Sequence, residues 1–230
     1  MSELLSLDVD VVSDVMCPWC YIGKRRLERA LTLVPNIRAD IRWRPFQLDP
    51  TIPPGGMSRQ EYLDRKFGPE RAMQVYKQIE LAGEAEGIPF AFDRIQKSPN
   101  TLDCHRLIRW AAQDGFQDGV VDRLFELFFI EGADIGNHDV LIETARETGM
   151  DSKLVAEMLP TDADKDVVEN EIRLAQDMGV QGVPAFVFAS RYVVAGAQAP
   201  EILADVMKKV AELLQNAEAV DAEAGASEAS

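Results

Sequence analysis

Residues 8–15, Asp-Val-Asp-Val-Val-Ser-Asp-Val, alternate polar and apolar positions and are rich in valine, which predicts a strand. The period then changes. Cys20, Gly23, Leu27, Ala30, Leu31 and Val34 recur at helical spacing, so a helix opens near Cys17 and stops at Pro35. Pro18 falls in its first turn, where a proline sacrifices no hydrogen bond. Residues 38–46 read as a second strand with Pro45 near its end. A helix joining two strands is the crossover that makes them parallel.

Pro50, Pro53, Pro54, Gly55 and Gly56 break the chain, and the pattern beyond them is helical for over 100 residues. Ser58 with Glu61 fits a capping box. Met73, Tyr76 and Ile79 form an apolar stripe. Residues 88–99 are irregular. Asn100 or Thr101 can cap a helix whose stripe is Cys104, Leu107, Ile108 and Ala111. Val121, Leu124, Phe125 and Phe128 form another stripe, and Val168, Ile172 and Ala175 the last. Strand character returns at Ala185–Phe188 and Tyr192–Ala195, joined by a tight turn at Ser190-Arg191 as a hairpin. Pro200 opens a final helix. The order is therefore βαβ, a helical insertion, then ββα, which predicts an α/β fold with a central four-stranded mixed sheet. The expected segments are 1–54 and 164–215 for the sheet domain and 55–163 for the insertion. A disordered acidic tail is expected over 216–230.

Charge narrows the partners. Asp plus Glu number 39 against 24 Lys plus Arg, a net charge of −15. Such a chain repels phosphate backbones, so nucleic acid is not an expected partner. There is no run of about 18 apolar residues, so no membrane-spanning helix is expected. His105 and His138 are the only histidines, which excludes a multi-histidine metal site. The first residues lack the basic and apolar regions of a secretory signal, and cysteines number three in 230 residues, so a cytoplasmic location is expected.

Candidate chemistry concentrates at Cys17-Pro18-Trp19-Cys20. Helix starts leave N–H groups unpaired and carry about half a positive charge, which lowers the pKa of a thiol placed there. The two-residue spacing puts both sulfurs in one turn. Cys17, at the end, is expected to be the exposed nucleophile; Cys20, on the packed stripe, is expected to be the shielded resolving thiol. A zinc site would need two more ligands, and Cys104 with His105 is an awkward pair because adjacent helical residues point about 100° apart. No metal or organic cofactor is expected. Val183-Pro184 forms an extended entry to the third strand.

The chain resembles thioredoxin-fold proteins of the DsbA type, and especially their FrnE-like branch of dithiol–disulfide isomerases. The resemblance rests on residues 13–24, Ser-Asp-Val-Met-Cys-Pro-Trp-Cys-Tyr-Ile-Gly-Lys, with Arg44-Pro45-Phe46-Gln47-Leu48, Pro99-Asn100-Thr101, His105-Arg106-Leu107, and residues 179–186, Gly-Val-Gln-Gly-Val-Pro-Ala-Phe. It implies a thioredoxin fold with an all-helical insertion, and a cis Pro184 facing the cysteines. An incoming extended chain would pair beside that proline. Expected partners are protein or small-molecule thiols and disulfides, with glutathione as a possible co-substrate, and the chain is expected as a monomer or homodimer. A sister branch of glutathione-dependent 2-hydroxychromene-2-carboxylate isomerases has a similar layout but carries serine in place of Cys17. A holdase-like binding module is the reading from a different class.

Secondary candidates follow. Asp14 could relay a proton to or from Cys20, or hold the turn through backbone N–H groups. Trp19 is expected half exposed, with Pro18, Trp19, Val183, Pro184, Asn100 and His105 lining the substrate cleft. Lys24, Arg25, Arg26 and Arg29 form a basic face that either draws in glutathione carboxylates or is merely solvated. Cys104 is expected to be a buried, inert thiol, and His138 a loop or helix-cap residue.

Overall fold

The computed structural model describes residues 4–68 and 71–228, with side chains described to residue 217; residues 1–3 of the first expected segment, 69–70 of the insertion and 229–230 of the expected tail lie outside the described residues. The alternating valine segment forms β1 (Leu5–Ser13), followed by α1 (Pro18–Thr32) and β2 (Ile37–Pro45). The hairpin is β5 (Ala185–Phe188) and β6 (Tyr192–Ala195). These four strands make one sheet in the order β2-β1-β5-β6, with β1 and β2 parallel and the other pairs antiparallel. The turn between β5 and β6 places Ala189 and Ser190 at positive φ, one residue earlier than the expected Ser190-Arg191.

Period-two alternation gives the sheet two buried faces. Val9, Val11, Phe186 and Phe188 face the main core, with α1 and the final helix α9 (Pro200–Glu228). Val12, Ala185 and Val187 face a smaller cluster with Phe46, Ala175 and Val180, covered by α8 (Lys165–Asp177).

Between the sheet halves lie the two-residue strands β3 (Met57–Ser58) and β4 (Lys97–Ser98), which pair antiparallel. The helices there are α2 (Arg59–Phe67), α3 (Arg71–Glu84), α4 (Leu102–Ala111), α5 (Gln117–Glu126), α6 (His138–Glu147) and α7 (Ser152–Met158). Local chemistry sets their starts. The Ser58 hydroxyl accepts the Glu61 N–H, the Asn137 side chain accepts the Asp139 N–H, and the Asp151 carboxylate accepts two N–H groups of α7. A π-helical turn, Leu127–Glu131, closes α5 and ends on Gly132 at φ +73°. A Cβ there would meet Arg94 backbone and side chain at 2.6 Å, so only glycine fits.

Tyr21 of α1 stacks on Phe125 of α5 at 4.9 Å, and Phe129 and Phe90 close the cluster. One continuous core therefore runs from β1 and α1 through the insertion, which buries its aromatic face on the helix that carries the cysteines. Two expectations change. Met73 is 80% exposed, so the inward stripe of α3 does not begin there. The stretch expected as a disordered tail is helical as far as Glu228, in keeping with the high helix propensity of its alanines and glutamates.

Candidate active site

The loop Asp14-Val15-Met16 carries the chain from β1 into α1 and leaves Cys17 at the N-cap, with Pro18 as the first helical residue. Backbone shape makes the loop tight: the Cys17 N–H donates to the Asp14 carbonyl at 3.0 Å. Asp14, wholly buried, accepts the Leu48 N–H at 2.6 Å and the Met16 N–H at 3.4 Å. Its carboxylate thus ties the loop before Cys17 to the one after β2. The His105 Nε2 lies 2.8 Å from the Phe46 carbonyl and 3.5 Å from an Asp14 oxygen. Asn100 accepts from Gln47 Nε2 and the Leu102 N–H and donates to the Ile52 carbonyl at 2.7 Å. Asn100 and His105 therefore brace the 46–52 loop and the start of α4.

Both cysteines are reduced, and both are buried: Cys17 is 3% exposed and Cys20 1%. The expected exposed Cys17 is corrected here. The Val183–Pro184 segment covers it, and its sulfur lies 3.6 Å from the Val183 carbonyl, to which the thiol donates. That peptide bond is cis. Gly23 makes the approach possible. A Cβ on it would fall 2.9 Å from Pro184 Cγ and 3.3 Å from Phe186 Cζ, so α1 can lie against the proline only without a side chain there. Trp19 between the cysteines is 37% exposed, while Pro18 is buried.

The two thiols are driven apart electrostatically. A hydrogen bond from Cys20 holds Cys17 below the ordinary thiol value in spite of burial, helped by the N–H groups of Cys20 and Trp19, while the Asp14 charge opposes. Burial pushes Cys20 well above its ordinary value, and the hydrogen bond given to Cys17 adds to this. Cys104 is fully buried, donates to the Ile135 carbonyl at 3.1 Å and is pushed well up, first by burial. This arrangement can present one thiolate and hold a second thiol protonated beside it.

These features, a CxxC pair at a helix start against a strand-entry proline, sit in a chain whose residues 8–208 match the family model of the DSBA-like thioredoxin domain. The chain belongs to that family. A probable DsbA oxidoreductase of Streptomyces coelicolor superposes with a TM-score of 0.81 at 29% identity, covering 88% of this chain and 89% of that one. A 2-hydroxychromene-2-carboxylate isomerase superposes at 0.68 with 18% identity, over 92% of this chain and 98% of its own. The cytosolic disulfide reductase DsbM of Pseudomonas aeruginosa, solved with GSH, superposes at 0.59 with 18% identity, over 88% and 98%. The DSBA-like fold goes with thiol–disulfide oxidoreductase or isomerase chemistry in general. No helix of this DSBA-like chain is long and apolar enough to cross a membrane, and no group of metal ligands forms among the described residues.

The basic face of α1 is not free. Lys24 is buried and meets Glu28, Asp118 and Asp122; Arg25 meets Asp122 at 2.8 Å; Arg26 and Arg29 share Glu86 at 2.8 and 2.6 Å. His138 opens α6 and pairs with Asp103 at 2.9 Å. Sequence reasoning passed over Arg59, Tyr62 and Lys66, and read Tyr76 only as a position of an apolar stripe. They carry no local motif, and only the packing of α2 on α3 gathers them.

Proposed function

We propose that this chain is a dithiol–disulfide oxidoreductase of the cytoplasm, acting on protein or glutathione disulfides without a metal or organic cofactor. The Cys17 thiolate attacks one sulfur of the substrate disulfide, forming a mixed disulfide and releasing the other sulfur as a thiolate. Cys20 then loses its proton and attacks the Cys17 sulfur. The Cys17–Cys20 disulfide forms and the second substrate thiolate leaves, so the substrate gains the two electrons that the pair loses. Glutathione or a protein dithiol returns them; run backwards, the same steps oxidise a substrate dithiol. The Val183–Pro184 backbone receives the substrate chain, Trp19 offers apolar contact, and Asp14, Asn100 and His105 hold the loops that position the pair.

The placement of Cys17 and Cys20 in the first turn of α1, with the Cys17 sulfur 3.6 Å from the Val183 carbonyl at the strand-entry proline, carries this reading. The opposite pKa directions of the two thiols accord with it, because attack needs a thiolate and resolution a thiol kept in reserve. The test is Cys20→Ala. Given glutathione disulfide or an oxidised substrate protein, that variant is expected to accumulate a mixed disulfide on Cys17 with release of one thiolate, seen as a mass increase removed by dithiothreitol. A Cys20→Ala protein that captures nothing, while wild type also turns over no disulfide, would sink the proposal.

A further inference from the structure

A cavity of about 310 Å³ lies at the β2 edge of the sheet, among α4, α5 and α8. Trp43, Ile108, Trp110 and Val121 give it apolar walls. The exposed Ala112 and Gln113 mark its mouth, and the buried Ser13 and His105 line it within. Neither Cys17 nor Cys20 lines it, nor does Val183 or Pro184. Both indoles are pinned by their N–H groups. Trp43 Nε1 donates to Asp118 at 3.1 Å and Trp110 Nε1 to Asp164 at 2.8 Å. The Arg106 guanidinium lies 4.9 Å from the centre of the Trp110 ring and holds it further. The aromatic walls are therefore preformed, as those of small-molecule sites usually are.

The buried and half-buried polar groups of the wall are matched within the protein, with two exceptions. Arg109 pairs with Glu171, and Arg44 with Asp10 at 2.7 Å. Gln117 accepts the Trp43 N–H at 2.8 Å and donates to the Trp43 and Ile108 carbonyls. An ionised ligand would thus be buried without a free counter-charge, which is costly. The first exception is His105. The Phe46 carbonyl at 2.8 Å and an Asp14 oxygen at 3.5 Å both lie at Nε2 and set the proton there. Nδ1 of the neutral ring is then an acceptor, and it has no hydrogen bond among the described residues. The second is Ser13, 5% exposed, whose hydroxyl has no hydrogen-bond partner. A Cys20 thiolate would draw on that hydroxyl, but burial keeps Cys20 protonated. A buried polar group left unpaired is costly, and a bound molecule that brings a donor removes the cost.

We propose that this cavity is a small-molecule site, separate from the cysteines, for a neutral one- or two-ring aromatic that carries an N–H or O–H donor. The donor meets His105 Nδ1 or the Ser13 hydroxyl, and the ring lies against Trp43 and Trp110. A volume near 310 Å³ is at the small end of ligand sites, about 300–1,000 Å³, and suits a molecule of that size. The site stands whether or not Cys17 is the nucleophile.

Titration of the reduced full chain with indole tests this, followed by heteronuclear NMR of the tryptophan side-chain N–H signals. The chain has three tryptophans, and Trp19 beside the cysteines serves as the internal control. Indole should shift the Trp43 and Trp110 signals in a saturable way and leave Trp19 in place. 1-Methylindole keeps the rings and lacks the donor, so it should bind about five- to tenfold more weakly, as loss of one hydrogen bond does. Indole-3-carboxylate should bind more weakly than indole-3-carboxamide, because only the first is ionised. Trp110→Leu, with its folding checked by a thermal melt, should lose about three- to tenfold in indole affinity, read at Trp43. Should that variant not fold, the wild-type shifts decide. No saturable shift up to millimolar indole, a shift at Trp19 alone, or equal movement of all three signals overturns the site. So does unchanged affinity in folded Trp110→Leu, which places indole outside the cavity. Equal binding of indole and 1-methylindole, or tighter binding of the carboxylate than of the carboxamide, overturns the assigned ligand class.

Discussion

The starts of α1 and α4 each place a buried cysteine near unpaired helix N–H groups. Each thiol donates to a backbone carbonyl from a distant segment, Val183 for Cys17 and Ile135 for Cys104. The Asp14 charge pushes both upward. Even so, Cys17 is held below the ordinary thiol value and Cys104 well above it. Burial does not make the difference, since both are almost wholly enclosed. Neighbours do: Cys17 receives a thiol hydrogen bond from Cys20 and amide support from the first turn. Cys104 receives little to offset its desolvation. A helix start therefore activates a thiol only when donors reach the sulfur itself.

The largest expected effect comes from removing the activated member. Cys17→Ala should abolish disulfide exchange, a loss of at least about 10³-fold for a lost nucleophile. The assay is turnover of glutathione disulfide or a model protein disulfide, with a thermal melt to confirm folding. Residual exchange within about tenfold of wild type would mean that Cys104 or Cys20 can substitute, and the contrast between the two helix starts would fail. The pH dependence sharpens the same contrast. A thiol with a lowered pKa is already thiolate at lower pH, so Cys17 alkylation by iodoacetamide should level off below the ordinary cysteine value, about 8.5. Labelling of Cys20 and Cys104 should still be rising there.

Asp14→Asn tests what the two thiols share. The amide keeps one acceptor and turns an NH2 toward the other N–H, so a stability loss of about 1–3 kcal/mol is expected. Removing the negative charge takes away an upward push on Cys17. Its pKa should fall further, and attack at pH 6 should quicken. If Asp14 works only through the loop, the release of a trapped mixed disulfide by Cys20 keeps its rate. Slower release with faster attack would instead make Asp14 the proton relay for Cys20.

What the sequence revealed follows the range of the interactions. The CxxC pair, the strands flanking it and the hairpin were legible because period, proline and spacing act within a few residues. The burial of Cys17 was not, because Val183 covers it from 166 residues away. The α1 cations looked like a free basic face, but their partners Glu86 and Asp118 lie 60 and 94 residues along the chain from Arg26 and Lys24. Gly23 read as one more apolar-stripe position. Its need for a missing side chain exists only once Pro184 is in place. Local pattern located the chemistry; long-range packing decided which charges and sulfurs were left to perform it.

The smallest effect is expected at Cys104. Cys104→Ala removes a buried thiol and its hydrogen bond to Ile135, so a stability cost of about 1 kcal/mol is expected. Turnover should stay within about twofold of wild type. The pH dependence of stability carries more information. A thiol whose pKa is raised on folding contributes stability below the unfolded value, about 8.5, and loses it as pH rises toward the folded value. The unfolded chain releases the proton first, so folding is penalised above that point. Between pH 8 and 9.5 that loss is about 1 kcal/mol for one such thiol. Urea midpoints of the reduced protein across this window should therefore fall more steeply in wild type than in Cys104→Ala. Parallel curves would mean that Cys104 titrates like an ordinary thiol, and that the start of α4 is less different from the start of α1 than its packing implies.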